Sequence, residues 1–266
     1  MRKSFKMNYT IGFISFRPLT FHDAQHRTIE IIENSEICRQ IVVANTYSVV
    51  LAYRDKQFRE ICESADSILA DGQPIIWTWR ILGDRTTERI AGPDFMWAFC
   101  GICAQKGYRI YLLGGTDENL HKLVSNLQSS YPGINIVGAY SPPFGEWTED
   151  ENSKIVNLVN GAKADLLWVG VSTPKQDKWI AKFRSQLQAK AAIGVGAAFD
   201  FHSGAIKRAP LWMQRYGLEW LHRFIQDPRR HWRKYLVANL VFIYLALKTI
   251  IATKLRATAL RGSIYN

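Results

Sequence analysis

The chain has 266 residues, with 34 Lys and Arg against 23 Asp and Glu, a formal net charge of +11 and 47% hydrophobic content. That length holds one large α/β domain plus an appendage, and that share of apolar residues excludes an intrinsically disordered chain. Residues 204–266 carry twelve Lys or Arg against only Glu219 and Asp227, so ten of the eleven net positive charges lie in this last stretch, which points to a polyanionic partner.

The N-terminal MRKSFKMNYT is basic but leads into no apolar core of signal-peptide length, so export is not expected. From Asn8 to about Gly196, short β-rich runs alternate with longer helical ones. Strands are predicted over residues 41–44, 67–70, 109–113, 135–137, 166–169 and 192–195. Several are apolar throughout and end at Gly, Asp or Asn, as buried parallel strands do. Helices fit between them over 46–64, 74–82, 93–106, 117–130, 148–161 and 175–187. This alternation predicts an α/β fold, a Rossmann-like, doubly wound and mostly parallel sheet. Pro142, Pro143 and Gly145 mark a surface loop, Pro210 opens a basic helical tail, and Pro228 breaks that tail once. The predicted division is a core over 1–203 and a basic, aromatic, membrane-binding appendage over 204–266.

The tail contains eight consecutive apolar residues, 240–247, flanked by Arg229, Arg230 and Arg233 on one side and by Lys248, Lys254 and Arg256 on the other. Nucleic acid has no use for that apolar run; a membrane does. Asn239, Lys248 and Thr249 interrupt residues 235–252, and charge on both flanks suits a helix lying in the interface, with a bilayer span left open. A helix packed on the protein's own domain is the plainer alternative. The four cysteines are expected to be reduced, and Cys100 and Cys103 to be core thiols, because no second ligand pair for zinc lies near.

Active-site groups in a doubly wound sheet gather beyond the carboxyl ends of the strands. That rule singles out Asn45, Asp71-Gly72, Gly114-Gly115-Thr116, residues 170–176 and residues 194–200. Gly114 and Gly115 follow a strand and open a helix, where backbone amides can meet a phosphate, although a plain tight turn explains them nearly as well. No full G-x-G-x-x-G pattern is present there, which disfavours hydride transfer. Asp71 is either a turn residue or a carboxylate free to act as a general base. Asp200, in AAFDFHSG, competes with it, and spacing leaves the two close. The chain has no D-x-D to hold a divalent ion on a diphosphate, a task that arginines can perform instead. His22 and His26 share a helix face without a third ligand and read as surface residues.

Several segments together resemble the bacterial glycosyltransferase family that includes the N-acetylmannosaminyltransferases of wall teichoic acid synthesis. The stretches are VVANTYSVVLA, ADGQPIIW, ERIAGPDF, YLLGG, VGVSTPKQDKW and the long block GVGAAFDFHSGAIKRAPLWMQRYGLEWLHRFIQDPRRHWRKY. The resemblance implies an inverting transferase that takes a sugar from a UDP donor and adds it to a lipid-diphosphate-linked sugar. By the same resemblance Asp71 looks like the catalytic base, Arg89 and Gln176 match pocket residues, and Arg223, Arg230 and Arg233 match appendage arginines facing the diphosphate. Val43 stands where several relatives carry Thr, and Asp177 where Glu is more usual.

The expected enzyme is therefore a metal-independent inverting hexosyltransferase of cell-surface polysaccharide synthesis, with no cofactor beyond its UDP-sugar substrate. Asp71 and Arg89 are the expected catalytic residues. Asn45, Gly114, Gly115, Lys175, Gln176, Asp200, Arg223, Arg230 and Arg233 are expected to bind substrate. Its partners would be the UDP-sugar, a polyprenyl-diphosphate-linked acceptor and the anionic cytoplasmic face of the plasma membrane, with no nucleic acid; a homo-oligomer stays open. The competing classes are a non-catalytic lipid- or nucleic-acid-binding module, in which tail aromatics such as Trp212 and Trp220 would stack bases, and a nucleotide-sugar-modifying enzyme.

Overall fold

The protein is described from a computed structural model covering residues 8–228 and 237–262, with side chains to residue 256. Six parallel strands form the sheet in the order β4-β3-β8-β7-β5-β6. They are β3 (Arg39–Ala44), β4 (Ser67–Ala70), β5 (Arg109–Gly114), β6 (Asn135–Tyr140), β7 (Leu166–Gly170) and β8 (Ala191–Gly194). All six correspond to predicted strands. A separate antiparallel hairpin of β1 (Tyr9–Ile11) and β2 (Ile14–Phe16) was not expected, because three-residue strands give almost no alternation to read.

Side chains alternate across each strand, so the two faces bury different sets. Ile41, Leu69, Ile110, Leu112, Trp168 and Ile193 face one layer, with α1 (Phe21–Asn34), α5 (Gly92–Lys106), α6 (Asp117–Ser130) and the short α9 (Ala198–His202). Val42, Ala44 and Ala70 face α2 (Thr46–Arg54), α3 (Lys56–Ser64) and α4 (Gln73–Ile81). Tyr111, Leu113, Leu167, Val169 and Ala192 face α7 (Glu149–Gly161) and α8 (Lys175–Phe183). Helices on both faces of a parallel sheet make the predicted doubly wound, Rossmann-like architecture. Cys38, Cys62, Cys100 and Cys103 are buried free thiols, and His22 and His26 are exposed, as expected.

Local chemistry starts and stops these helices. Thr20, Asn45, Asp55, Thr116 and Thr148 cap α1, α2, α3, α6 and α7 with their side chains. The single helix predicted over 46–64 is two, because Asp55 leaves helical geometry and its Oδ1 accepts from the Phe58 amide at 3.2 Å. Its other oxygen accepts from Lys178 Nζ at 2.7 Å, fixing the break against α8.

The tail begins with α10 (Leu211–Arg215) and α11 (Glu219–Gln226) and ends in the 25-residue α12 (Ala238–Gly262). Ala238, Phe242, Leu245 and Ala246 of α12 are buried in one cluster with Ile11, Ile14, Phe16 and Val49. The last helix thus packs on the protein's own domain along one side, the plainest of the sequence alternatives for that surface. Its other side leaves Leu240, Ile243, Tyr244, Leu247, Ile251 and Leu255 exposed. Over Ala238–Arg256 it is long and apolar enough to cross a membrane by length and composition alone.

Candidate active site

A cleft of about 800 Å³ lies beyond the carboxyl ends of β4, β3, β8 and β7. Asp71, the residue after β4, sits on its floor; Asn45 follows β3, the 194–198 turn follows β8, and Ser172, Thr173 and Gln176 follow β7. Trp77 of α4, Trp220 and Arg223 of α11, and Asn239, Leu240, Phe242 and Ile243 of α12 complete the wall. The cleft is polar at its floor and apolar toward α12.

The backbone amide of Asp71 donates to the Ala44 carbonyl at 2.8 Å, which ties the end of β4 to β3. Its Oδ2 accepts from the Gly92 amide at 3.2 Å, the first residue of α5, whose N-terminus favours a negative group. Burial pushes the carboxyl up to about 6, and the Glu219 charge pushes the same way. Arg89 pulls against both. A carboxylate poised this close to neutrality is suited to take a proton.

Arg89 is largely buried beside it, with Nη1 3.7 Å from Glu219 Oε2 and Nη2 3.9 Å from Asp94 Oδ2. Arg223 lies over the Phe201 ring at 4.6 Å. Gln176 is buried, and its Oε1 accepts from the Gly196 amide at 2.9 Å. Gly194 leaves room for this side chain, because a Cβ there would stand 2.8 Å from Gln176 Cδ and Cγ and force it to move. Gln176 therefore sets the shape of the turn after β8 while forming part of the cleft. Asn45 caps α2 by accepting from the Ser48 amide at 3.2 Å, so its capping role and its place in the cleft coexist.

The cleft thus brings together Asp71, Arg89, Asn45, Gln176 and Arg223. Gly114, Gly115, Lys175 and Asp200 lie outside its lining. The reason is α9, which folds back after β8. Phe199 packs on Gly170, where a Cβ would stand 2.6 Å from the ring, and Asp200 Oδ1 accepts from Asn119 Nδ2 at 3.1 Å. This places α9 between the β5 turn and the cleft. Gly114, at φ +127°, serves close packing, since a Cβ would meet the Gly170 carbonyl oxygen at 2.6 Å. Lys175 turns to the 141–147 loop, with Nζ bonded to the Gly145 carbonyl and 3.7 Å from the Trp147 ring centroid. Arg230 and Arg233 lie outside the described residues.

Sequence reasoning passed over Glu219, Asp94 and Arg208, although each stands inside a quoted motif: GLEW, AGPDF and KRAP. It also read Asn239 as a flaw in an apolar run. In the structure Asn239 lines the cleft, and Thr46 Oγ1 donates to its Oδ1 at 3.4 Å. Among the described residues no group of three or more His, Cys, Asp and Glu could hold a metal ion.

A buried carboxyl of raised pKa with two arginines at the strand-end cleft of a doubly wound sheet has the groups that group transfer from an anionic donor needs. The chain is a member of the glycosyl transferase WecG/TagA/CpsF family, whose model matches residues 9–256. It is 32% identical over 196 residues, 74% of each chain, to the N-acetylglucosaminyldiphosphoundecaprenol N-acetyl-beta-D-mannosaminyltransferase of Bacillus subtilis (strain 168). The enzyme of the same name from Staphylococcus aureus (strain MW2) is 28% identical over 190 residues, 71% of this chain and 73% of that one. The chain is a glycosyltransferase.

Proposed function

We propose that this glycosyltransferase moves a sugar from a UDP-linked donor onto a saccharide carried on a polyprenyl diphosphate, with inversion at the anomeric carbon, in cell-surface polysaccharide synthesis. The observation that carries the reading is the cleft itself, with a carboxyl of raised pKa on its floor, two arginines on its wall and apolar α12 residues at its side. The names of the relatives, which describe transfer to a diphosphoundecaprenol-linked sugar, support the same acceptor class.

In this mechanism the acceptor hydroxyl oxygen attacks the anomeric carbon as the bond from that carbon to the diphosphate breaks. Asp71 takes the hydroxyl proton, and UDP leaves with the bonding electron pair. Arg89 and Arg223 balance the charge that develops on the diphosphate, in a partly dehydrated cleft where fixed charges act strongly. Asn45 and Gln176 shape the walls. Gly114 and Gly115 lie behind α9, Asp200 ties α9 to Asn119, Lys175 holds the 141–147 loop, and Arg230 and Arg233 are assigned to the diphosphate by resemblance alone.

Residues 204–266 act in this reading as the membrane-engaging unit of the 1–203 core, with α12 packed on that core through Ala238, Phe242, Leu245 and Ala246. The exposed apolar side of α12 enters the headgroup region on the cytoplasmic side, and the basic tail gathers anionic lipid and the lipid diphosphate. The test is a panel of UDP-sugars offered to a lipid-diphosphate N-acetylglucosamine, with UDP-N-acetylmannosamine as the first donor. Transfer with inversion from one of them is expected. Reduction of an added nicotinamide instead of transfer would replace this reading with a sugar-nucleotide-modifying one.

A further inference from the structure

Two carboxylates beside the cleft are divided unequally between two arginines. Arg208 grips both, with Nη1 and Nη2 donating to the two oxygens of Asp94, the latter at 3.1 Å, and Nε donating to Glu219 Oε1 at 3.0 Å. Arg89 stands beyond hydrogen-bond distance of the same pair, at 3.7 and 3.9 Å. Arg89 and Glu219 line the cleft, whereas Arg208 does not. All four side chains are partly withdrawn from water, so none of these charges is left cheaply unpaired.

The planar guanidinium fork is what lets one residue hold both carboxylates at once. Without it, Arg89 would be the cation left beside Asp94 and Glu219 among the described residues. A charge-assisted bond forms at about 2.7–2.9 Å, so Arg89 would need to shift by only ~1 Å to be captured. Its donors would then be spent on protein carboxylates rather than on a ligand. We propose that Arg208 is a positioning residue that occupies Asp94 and Glu219 and so keeps Arg89 available to the donor diphosphate. The clamp joins α5 of the core to α11 of the tail, so docking of the tail and readiness of Arg89 are one arrangement. This inference rests on the assignment of Arg89 to the diphosphate.

The experiment is titration of UDP into the full chain by calorimetry, with thermal melting as the control for folding. Arg89→Ala should weaken UDP binding by about 10-fold or more, the worth of one charged hydrogen bond. Arg208→Gln should weaken it by a similar factor, although the residue does not line the cleft. Adding Glu219→Gln to Arg208→Gln should restore affinity to within about threefold of the native protein, because the nearer of the two competing carboxylates, the one that lines the cleft, is gone. A clamp with a merely structural role would make the double variant bind as weakly as the single one or worse. That result, or native affinity in Arg208→Gln, overturns the inference while leaving Arg89 in place. Native affinity in Arg89→Ala removes the assignment of Arg89 instead, and the inference with it. If Arg208→Gln does not fold, Glu219→Gln in the otherwise native chain decides: affinity equal to or above native supports the clamp, and a loss of more than about threefold overturns it.

Discussion

Asp71 and Asp177 are both carboxyls whose pKa burial raises, but only Asp71 opens onto the cleft. Asp71→Asn keeps the shape of the turn yet cannot take the acceptor's proton, so the turnover rate should fall by about 10²–10⁴-fold while UDP affinity holds. The native rate should rise with pH through about 6, where Asp71 loses its proton, and initial rates over pH 5–8 should show that limb. A fully active Asp71→Asn protein would overturn the assignment. Asp200→Ala, which removes the acceptor for Asn119, should instead cost stability, about 1 kcal/mol, with little effect on rate. Asp177 lies in the core with neither carboxyl oxygen hydrogen-bonded among the described residues, and burial pushes it up to about 7. Its folded form keeps a proton that the unfolded chain gives up near pH 4, so stability falls as pH rises from about 4 to 7. Asp177→Asn should match the native melting temperature at pH 4 and exceed it increasingly up to pH 7.

Among the elements, α12 does two jobs with its two sides. Phe242 is buried against β1, β2 and α2, so Phe242→Ala should cost about 3–5 kcal/mol in urea unfolding, as large core truncations do. Leu247 and Ile251 are exposed. Changing both to Gln should leave stability within about 1 kcal/mol, by the usual behaviour of surface sites, yet weaken sedimentation with anionic vesicles. Equal vesicle binding by the double variant would show that the exposed side of α12 does not meet lipid. The hairpin β1–β2 has its own part here, since Thr249 Oγ1 donates to the Thr10 carbonyl at 3.3 Å and thereby joins the two ends of the described chain.

Across the whole molecule the net positive charge is concentrated after residue 203, and α11 and α12 from that stretch line the cleft. Binding to anionic vesicles should weaken from low to high salt, as screening shortens to about 3 Å at 1 M, but should keep a salt-resistant part from buried apolar surface. Arginines supply the charge facing the cleft, so sugar transfer should persist in excess EDTA. A strict need for manganese or magnesium in that assay would require a different account of how the diphosphate is held.

Much of this was legible along the chain because it depends on near neighbours. The six parallel strands announce themselves as short apolar runs ending in Gly, Asp or Asn, and the caps Thr116 and Thr148 stand where helices were expected to begin. The strand-end rule brought forward Asn45, Asp71 and Gln176, and the motif resemblance added Arg89 and Arg223. What surrounds those groups was decided by contacts between distant segments. No local pattern tells that α9 separates Gly114 and Gly115 from the cleft, since that follows from Phe199 packing on Gly170. None tells that Arg208 meets Asp94 across 114 positions, or that Asn239 comes beside Thr46 across 193. Periodicity records which side of an element is apolar. Only three-dimensional packing decides which partner covers it, and so which buried charge has an arginine beside it.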